Sequence, residues 1–288
     1  STSLSVKSPP KTYILAEPLA FLTRLIYNLI ENYGITLIIV TILIRVLTIP
    51  LTVMSQKSTA KTQLIQPELQ KLQQKYKNDK EKLSIEMQKL YKKHDVNPMG
   101  GCLPLIVQMF VLFGFIRVVY DPLRYILQLS VEQIDKIKEA VGATVTTYQV
   151  TLCGMDGVRE QIIALGKKPI NFDFLGIDLT RMVKGNETDF LVWIFPVLAV
   201  LATIWSAQIS KKQMQASNNG ANEQVQSMSN SMMTIMPIMT AFFTYSMPIG
   251  MSLYWFVSTV AQIIQQAVIT KVVNKELENK SSERKDKR

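Results

Sequence analysis

Residues 35–54 read ITLIIVTILIRVLTIPLTVM, twenty residues with a single charge, Arg45. A helix of about 20 apolar residues crosses the roughly 30 Å hydrocarbon core of a bilayer. The stretch therefore reads as a membrane-spanning helix. Four more blocks have the same character. Residues 99–120, MGGCLPLIVQMFVLFGFIRVVY, carry only Arg117. Residues 190–209, FLVWIFPVLAVLATIWSAQI, carry no charge, and neither do 231–247 nor 249–270. The last two are separated by Pro248 alone and read as a tight helical hairpin. The expected fold class is an all-α integral membrane protein with five transmembrane helices. The competing reading is a large soluble α-domain, and five such blocks argue against it.

Composition agrees with this. The chain has 288 residues, 48% of them hydrophobic, and a formal net charge of +10. It is too apolar for a disordered chain, and two cysteines are too few for a disulfide scaffold. A positive mean hydropathy of +0.14 alongside 32 Lys+Arg means that the apolar residues are collected into blocks. Where the charges sit gives the orientation. Segment 56–97 holds 10 Lys+Arg and 5 Asp+Glu, 209–230 holds 2 and 1, and 271–288 holds 7 and 4. Segment 121–189 holds 8 and 10. Basic residues in short loops mark the cytoplasmic side. The expected layout follows. Residues 1–33 lie outside, 34–55 span, 56–97 are cytoplasmic, 98–120 span and 121–189 lie outside. Then 190–209 span, 210–230 are cytoplasmic, 231–247 and 249–270 span, and 271–288 form a basic cytoplasmic tail. No signal-peptide pattern precedes the first span, so a targeting segment is expected to have been removed before Ser1. Cys102 and Cys153 fall on opposite sides and are not expected to pair, Cys102 packing as a small residue.

Two flanking segments have their own pattern. In 18–33, Leu19, Leu22, Ile26, Leu29 and Tyr33 fall at helical spacing. They suit either an amphipathic helix in the membrane interface or a packed juxtamembrane helix. In 56–97, Ile65, Leu69, Leu72 and Tyr76 make one stripe and Leu83, Met87 and Leu90 another, with the turn signal Asn78-Asp79 between them. This predicts a helical hairpin with an apolar seam. It is a candidate docking surface for a protein chain or targeting factor through Lys71, Lys75, Lys89 and Lys92. The alternative is a basic hairpin resting on anionic lipid. Segment 121–189 suggests no chemistry.

Arg45 is the costly residue, near the middle of its span. A central Arg costs roughly 2.5–3.5 kcal/mol on insertion scales. No Asp or Glu lies within the five blocks. Thr41, Thr48 and Thr52 share its helix face, and Pro50 frees the Val46 carbonyl and should kink the helix. Other blocks supply Gln108, the pair Thr240 and Thr244, and Ser258, Gln262 and Gln265 at i, i+4, i+7. Together these predict a hydrated, positively charged recess that attracts a carboxylate arriving from the cytoplasm. The alternative for the Thr and Gln residues is interhelical hydrogen bonding. Arg117 sits near the outer end of its span, where it can snorkel.

The stretch IRVLTIPLTVMSQKSTAKTQLIQPELQKLQQKY resembles the first conserved span and cytoplasmic hairpin of the YidC-type membrane protein insertases. Mitochondrial Oxa-type and thylakoid Albino-type proteins are relatives of that family. YKKHDVNPMGGCLPLIVQ, Tyr91 to Gln108, resembles the entry into the family's second conserved span, where Gly100 and Gly101 allow close approach and Pro104 fits a first helical turn. PIGMSLYW at 248–255 resembles its final hairpin. The resemblance covers residues 18–120 and 190–270. It implies an insertase and membrane chaperone of the bacterial cell membrane, working without covalent chemistry or cofactor. The family's groove arginine maps onto Arg45, and the groove Gln onto Gln108. Nascent membrane proteins are the implied clients. The Sec translocon, the signal recognition receptor and the ribosome are candidate partners. The chain departs from the family at Phe110, where Pro is common. Its outside segment is longer than in compact members and far shorter than the periplasmic domain of Gram-negative ones. This suggests a Gram-positive-type protein, of a kind often made as a lipoprotein.

Other classes have less support. A channel or transporter would bind a small anion at Arg45, but no inverted repeat is visible. The single histidine, His94, has no evident Ser or Cys partner, and HExxH, Walker and zinc patterns are missing from the sequence. The basic residues are scattered rather than gathered with aromatics on one platform, which argues against nucleic-acid recognition.

Overall fold

In the computed structural model, residues 16–97, 103–217 and 223–286 are described, with side chains over 17–97, 106–212 and 234–276. Gly100, Gly101 and Cys102, and the side chain of Pro104, lie outside these. The described residues are mostly helical. In order come α1 (Ala16–Ile30), α2 (Tyr33–Leu47), α3 (Ile49–Leu64), α4 (Gln66–Lys75), α5 (Lys80–Lys93) and α6 (Leu103–Tyr120). Four short helices follow: α7 (Pro122–Tyr125), α8 (Val131–Ala140), α9 (Gln149–Cys153) and α10 (Val158–Ala164). The strands β1 (Asp173–Phe174) and β2 (Ile177–Asp178) form an antiparallel hairpin. After a turn of 3-10 helix, Phe190–Trp193, come α11 (Ile194–Ser217), α12 (Glu223–Ser246) and α13 (Ile249–Asp286).

Among the described residues, two helices are long and apolar enough to cross a membrane, at Phe190–Lys212 and Ile249–Glu276. A third crossing follows if α2 and α3, bent by 51° at their junction, count as one. Ile106–Tyr120 is apolar but shorter. Large apolar side chains stand exposed, Leu47 of α2 by 75% and Phe242 of α12 by 66%. On α13, Ile264, Val268 and Val272 form an exposed stripe at a spacing of four. Apolar surface on this scale is costly against water and suits hydrocarbon.

The helices divide into two units. One comprises residues up to 41, 107–195 and 244–254. Its core includes a cluster contributed by short elements: Leu123, Leu129, Ile134, Ile137, Leu152, Val158 and Ile162. Ser130 caps α8 in a capping box with Gln133, so two orphan donors are satisfied at once. Cys153 packs against the cluster, and burial pushes its thiol pKa up, which keeps it protonated. Helix α1 buries Leu19, Ala20, Thr23, Ile26 and Tyr27 and exposes Phe21, Leu25 and Leu29. It thus has two apolar faces. The sequence stripe caught part of each, and Tyr33 begins the next helix instead. Asn32 caps α2, accepting from the Ile35 N–H at 3.0 Å, and donates to the Asp173 carbonyl at 2.8 Å. The segment 179–184 pairs with the turn before α13. The Ile249 N–H donates to the Arg181 carbonyl at 2.8 Å and the Gly250 N–H to the Leu179 carbonyl at 3.1 Å. These serve amide groups that a helix N-terminus leaves without an internal partner. Arg181 donates to Asp189 at 2.5 Å and to Asn186 at 2.9 Å, which ties the same segment together and holds the Asp189 carboxyl below its ordinary range.

The other unit comprises residues 42–106, 196–243 and 255 onward. Its helices α4 and α5 are joined by a turn at 76–79 and pack through Ile65, Leu69, Leu90 and Val96, flanked by Leu72, Met87 and Tyr91. Asp79 caps α5 by accepting from the Lys82 N–H at 3.0 Å. Lys57 pairs with Glu276 of α13 at 2.7 Å.

Candidate functional site

Helix α2 stops two residues after Arg45 because Pro50 cannot donate to the Val46 carbonyl. The chain breaks at Thr48 and resumes as α3 with Pro in its first turn. Arg45 is therefore delivered at an elbow, half-buried. Its Nη2 donates to Ser258 Oγ at 2.6 Å and to Gln262 Oε1 at 3.3 Å. Both acceptors are neutral oxygens, and they orient the guanidinium. Gln265, one turn further along α13, meets the backbone instead. Its Nε2 donates to the Arg45 carbonyl at 3.4 Å and to Thr52 Oγ1 at 3.2 Å. Thr48 Oγ1 also donates to the Arg45 carbonyl, at 2.9 Å, and Thr52 Oγ1 donates to the Thr48 carbonyl at 3.0 Å.

The fold thus brings five of the sequence-derived site residues together: Arg45, Thr48, Ser258, Gln262 and Gln265. Thr240 lies in the same unit but is buried, and its hydroxyl donates to the Met236 carbonyl of its own helix at 3.0 Å. Thr41, Gln108 and Thr244 belong to the other unit. Thr41 is buried and donates to the Leu37 carbonyl at 2.6 Å. Thr244 is buried and Gln108 half-buried. Arg117 pairs with Asp121 at 3.3 Å.

On the helix pair α4–α5, Lys71, Lys75, Lys89 and Lys92 are all exposed. Lys75 and Lys82 both stand over the Tyr76 ring, at 5.4 Å and 5.5 Å, and Lys89 pairs with Glu86 at 2.7 Å. His94 and Lys93 both face Glu68. Among the described residues no group of three or more His, Cys, Asp or Glu could hold a metal ion. Sequence reasoning missed the Lys57–Glu276 pair, whose partners are too far apart in the chain to leave a local signal.

Comparison with known proteins gives the same family. A family model described as 60Kd inner membrane protein matches residues 25–276. The chain is 32% identical over 258 residues to the membrane protein insertase YidC of Fusobacterium nucleatum, covering 90% of this chain and 96% of that protein. It is 27% identical over 260 residues to the membrane protein insertase YidC of Geobacter metallireducens, of which it spans 37%. Over 115 residues it is 49% identical to the insertase of the same name from Syntrophus aciditrophicus, of which it spans 20%. The chain belongs to the 60Kd inner membrane protein family, that of the YidC-type membrane protein insertases.

Proposed function

We propose that this bacterial inner-membrane protein inserts client membrane proteins by electrostatic capture, without covalent chemistry. A client's acidic or polar tail is drawn toward Arg45 in a hydrated recess, and its apolar helix then passes into the bilayer. The observation that carries the reading is the seat of Arg45. Its guanidinium lies in an apolar helix and is aimed by the neutral groups of Ser258 and Gln262. In a medium of low dielectric a charge acts strongly and over distance, so a carboxylate entering from the cytoplasm is attracted. Ser258 and Gln262 fix the direction of that attraction.

The proposal includes the layout read from charge. There are five spans, with 1–33 and 121–189 outside and the α4–α5 pair and the tail inside. The exposed Lys71, Lys75, Lys89 and Lys92 would meet a nascent chain or a targeting factor, and the Sec translocon, signal recognition receptor and ribosome are the partners to test there.

The decisive experiment reconstitutes the purified protein in liposomes with a single-span client bearing an Asp-rich tail. Arg45→Ala should lower insertion at least tenfold, and Arg45→Glu further, because a carboxylate at this position repels the tail. Arg45→Lys should keep most of the activity, since the ammonium keeps the charge and loses only the planar fork. Equal insertion by Arg45→Ala and the wild type would refute capture. Conductance of small anions through the wild-type protein would favour a channel instead.

A further inference from the structure

We infer that Gln265 is a positioning residue, which clamps the elbow at Thr48 and so sets where Arg45 points. The sequence makes Gln265 look like one more groove-lining polar group, in line with Ser258 and Gln262. Its contacts differ from theirs. Ser258 and Gln262 hold the guanidinium, whereas the Gln265 amide reaches the chain on both sides of the break, at the Arg45 carbonyl before it and at Thr52 after it.

The chemistry of the elbow calls for such a group. Proline removes one backbone donor, and a bend of 51° pulls neighbouring carbonyls out of register. The donor that Pro50 lacks is the one for the Val46 carbonyl, and the side chains at the bend serve the carbonyl next to it, that of Arg45. Thr48 Oγ1 and Gln265 Nε2 both donate to the Arg45 carbonyl, at 2.9 Å and 3.4 Å. Thr52 Oγ1 spends its proton on the Thr48 carbonyl at 3.0 Å, which leaves its lone pairs for Gln265 at 3.2 Å. Thr52 Oγ1 thus both donates and accepts, while Thr48 Oγ1 donates to the carbonyl that Gln265 also serves. Because Gln265 follows Ser258 by two turns on one face of α13, a single helix face holds the Arg45 backbone at one end and its guanidinium at the other. A long, flexible side chain is thereby fixed at both ends.

The predicted effect on insertion rests on the capture reading, whereas the clamp itself does not. Two readouts keep them apart. Spin labels at Leu43→Cys and Leu64→Cys, both exposed positions flanking the elbow, report the bend in a Cys102→Ala, Cys153→Ala background. Liposome insertion of an Asp-tailed client, and of the same client with Asn in place of Asp, reports Arg45. Gln265→Met keeps the shape of the side chain and removes its donors. It should shift or broaden the label distance and raise the half-saturating concentration of the Asp-tailed client about fivefold, the effect of one ordinary hydrogen bond. The maximal rate and the Asn-tailed client should stay as in the wild type, which a general loss of structure would not allow. Thr52→Val should act in the same direction, Thr52→Ser should behave as the wild type, and Gln265→Met with Thr52→Val should be no worse than the more severe single variant. An unchanged label distance in Gln265→Met overturns the clamp, whatever Arg45→Ala does. A changed distance with unchanged half-saturation, while Arg45→Ala raises it, overturns the positioning of Arg45. If Arg45→Ala has no effect, capture fails and the label distance alone decides the clamp.

Discussion

Gly34, at the second position of α2, shows how one residue can fix a long-range contact without announcing it. A Cβ there would lie 2.5–2.7 Å from the Cβ, Cγ and Cδ2 atoms of Phe174, closer than side-chain atoms ever approach. The Phe174 ring cannot retreat freely, because it packs against Phe195 with centroids 5.9 Å apart. Gly34→Ala should therefore destabilise the protein by about 1–3 kcal/mol, the usual range for overpacking. A lowered midpoint of thermal unfolding in detergent would show it. Phe174→Leu introduced beside Gly34→Ala should restore part of the loss, since neighbours that share a clash are not additive. A Gly34→Ala protein as stable as the wild type would mean that the hairpin is free to shift. Nothing local in the sequence marks Gly34, because its neighbour is 140 residues away. Arg45 is the opposite case. Its solvation cost in an apolar block makes it conspicuous before any partner is known. What each polar residue of α13 touches was not legible. Ser258, Gln262 and Gln265 share one helix face on spacing alone, yet two of them hold a guanidinium and the third holds backbone.

At the scale of elements, long apolar runs and the 3.6-residue period carried the sequence reading. The stretch 249–270 lies within one helix, and 190–209 is a turn of 3-10 helix running into α11, where Pro196 falls in the first turn and is tolerated. The pair α4–α5 follows its two leucine-rich stripes and the Asn78-Asp79 turn. The run 35–54 is broken where Pro50 removes a donor, so its span is two helices rather than one. Segment 121–189 was opaque for a physical reason. Its cluster draws one or two residues from each of several short helices, too few per helix to set a period. The β1–β2 hairpin there contains a testable compromise. Its two-residue loop, Leu175-Gly176, has positive φ at both positions, +56° and +78°. Such turns favour Asn-Gly, because a branched side chain in the left-handed region costs about 1–2 kcal/mol. Leu175 is 81% exposed, so replacing it forfeits little burial. Leu175→Asn should raise stability by about 1 kcal/mol, a rise in Tm of about 2–4 °C for a chain of this size. A fall in Tm would instead show that the Leu175 side chain is seated in lipid, where Asn is costly.

At the scale of the whole molecule, the bulk charge and the functional charge are different things. The net charge of +10 resides chiefly in 56–97 and 271–288, while 121–189 carries two more acidic than basic residues. Basic residues tend to be retained on the cytoplasmic face during insertion, so on the proposed layout this distribution is an orientation signal, and the proposed mechanism rests on Arg45 alone. The orientation can be measured without reference to any client. Val145 and Leu175 are 86% and 81% exposed in 121–189, and Lys71 and Lys89 are exposed on α4 and α5. In a Cys102→Ala, Cys153→Ala background, single cysteines at 145 and 175 should react with a membrane-impermeant maleimide added to spheroplasts. Cysteines at 71 and 89 should react only in inverted vesicles or after lysis. If the two sets react from the same side, an odd number of spans between them is ruled out, and α6 does not cross. If each set reacts from the side opposite to that expected, the span count survives but the carboxylate-seeking arginine would face clients from the wrong compartment. The second result would remove the cytoplasmic entry on which capture by Arg45 depends.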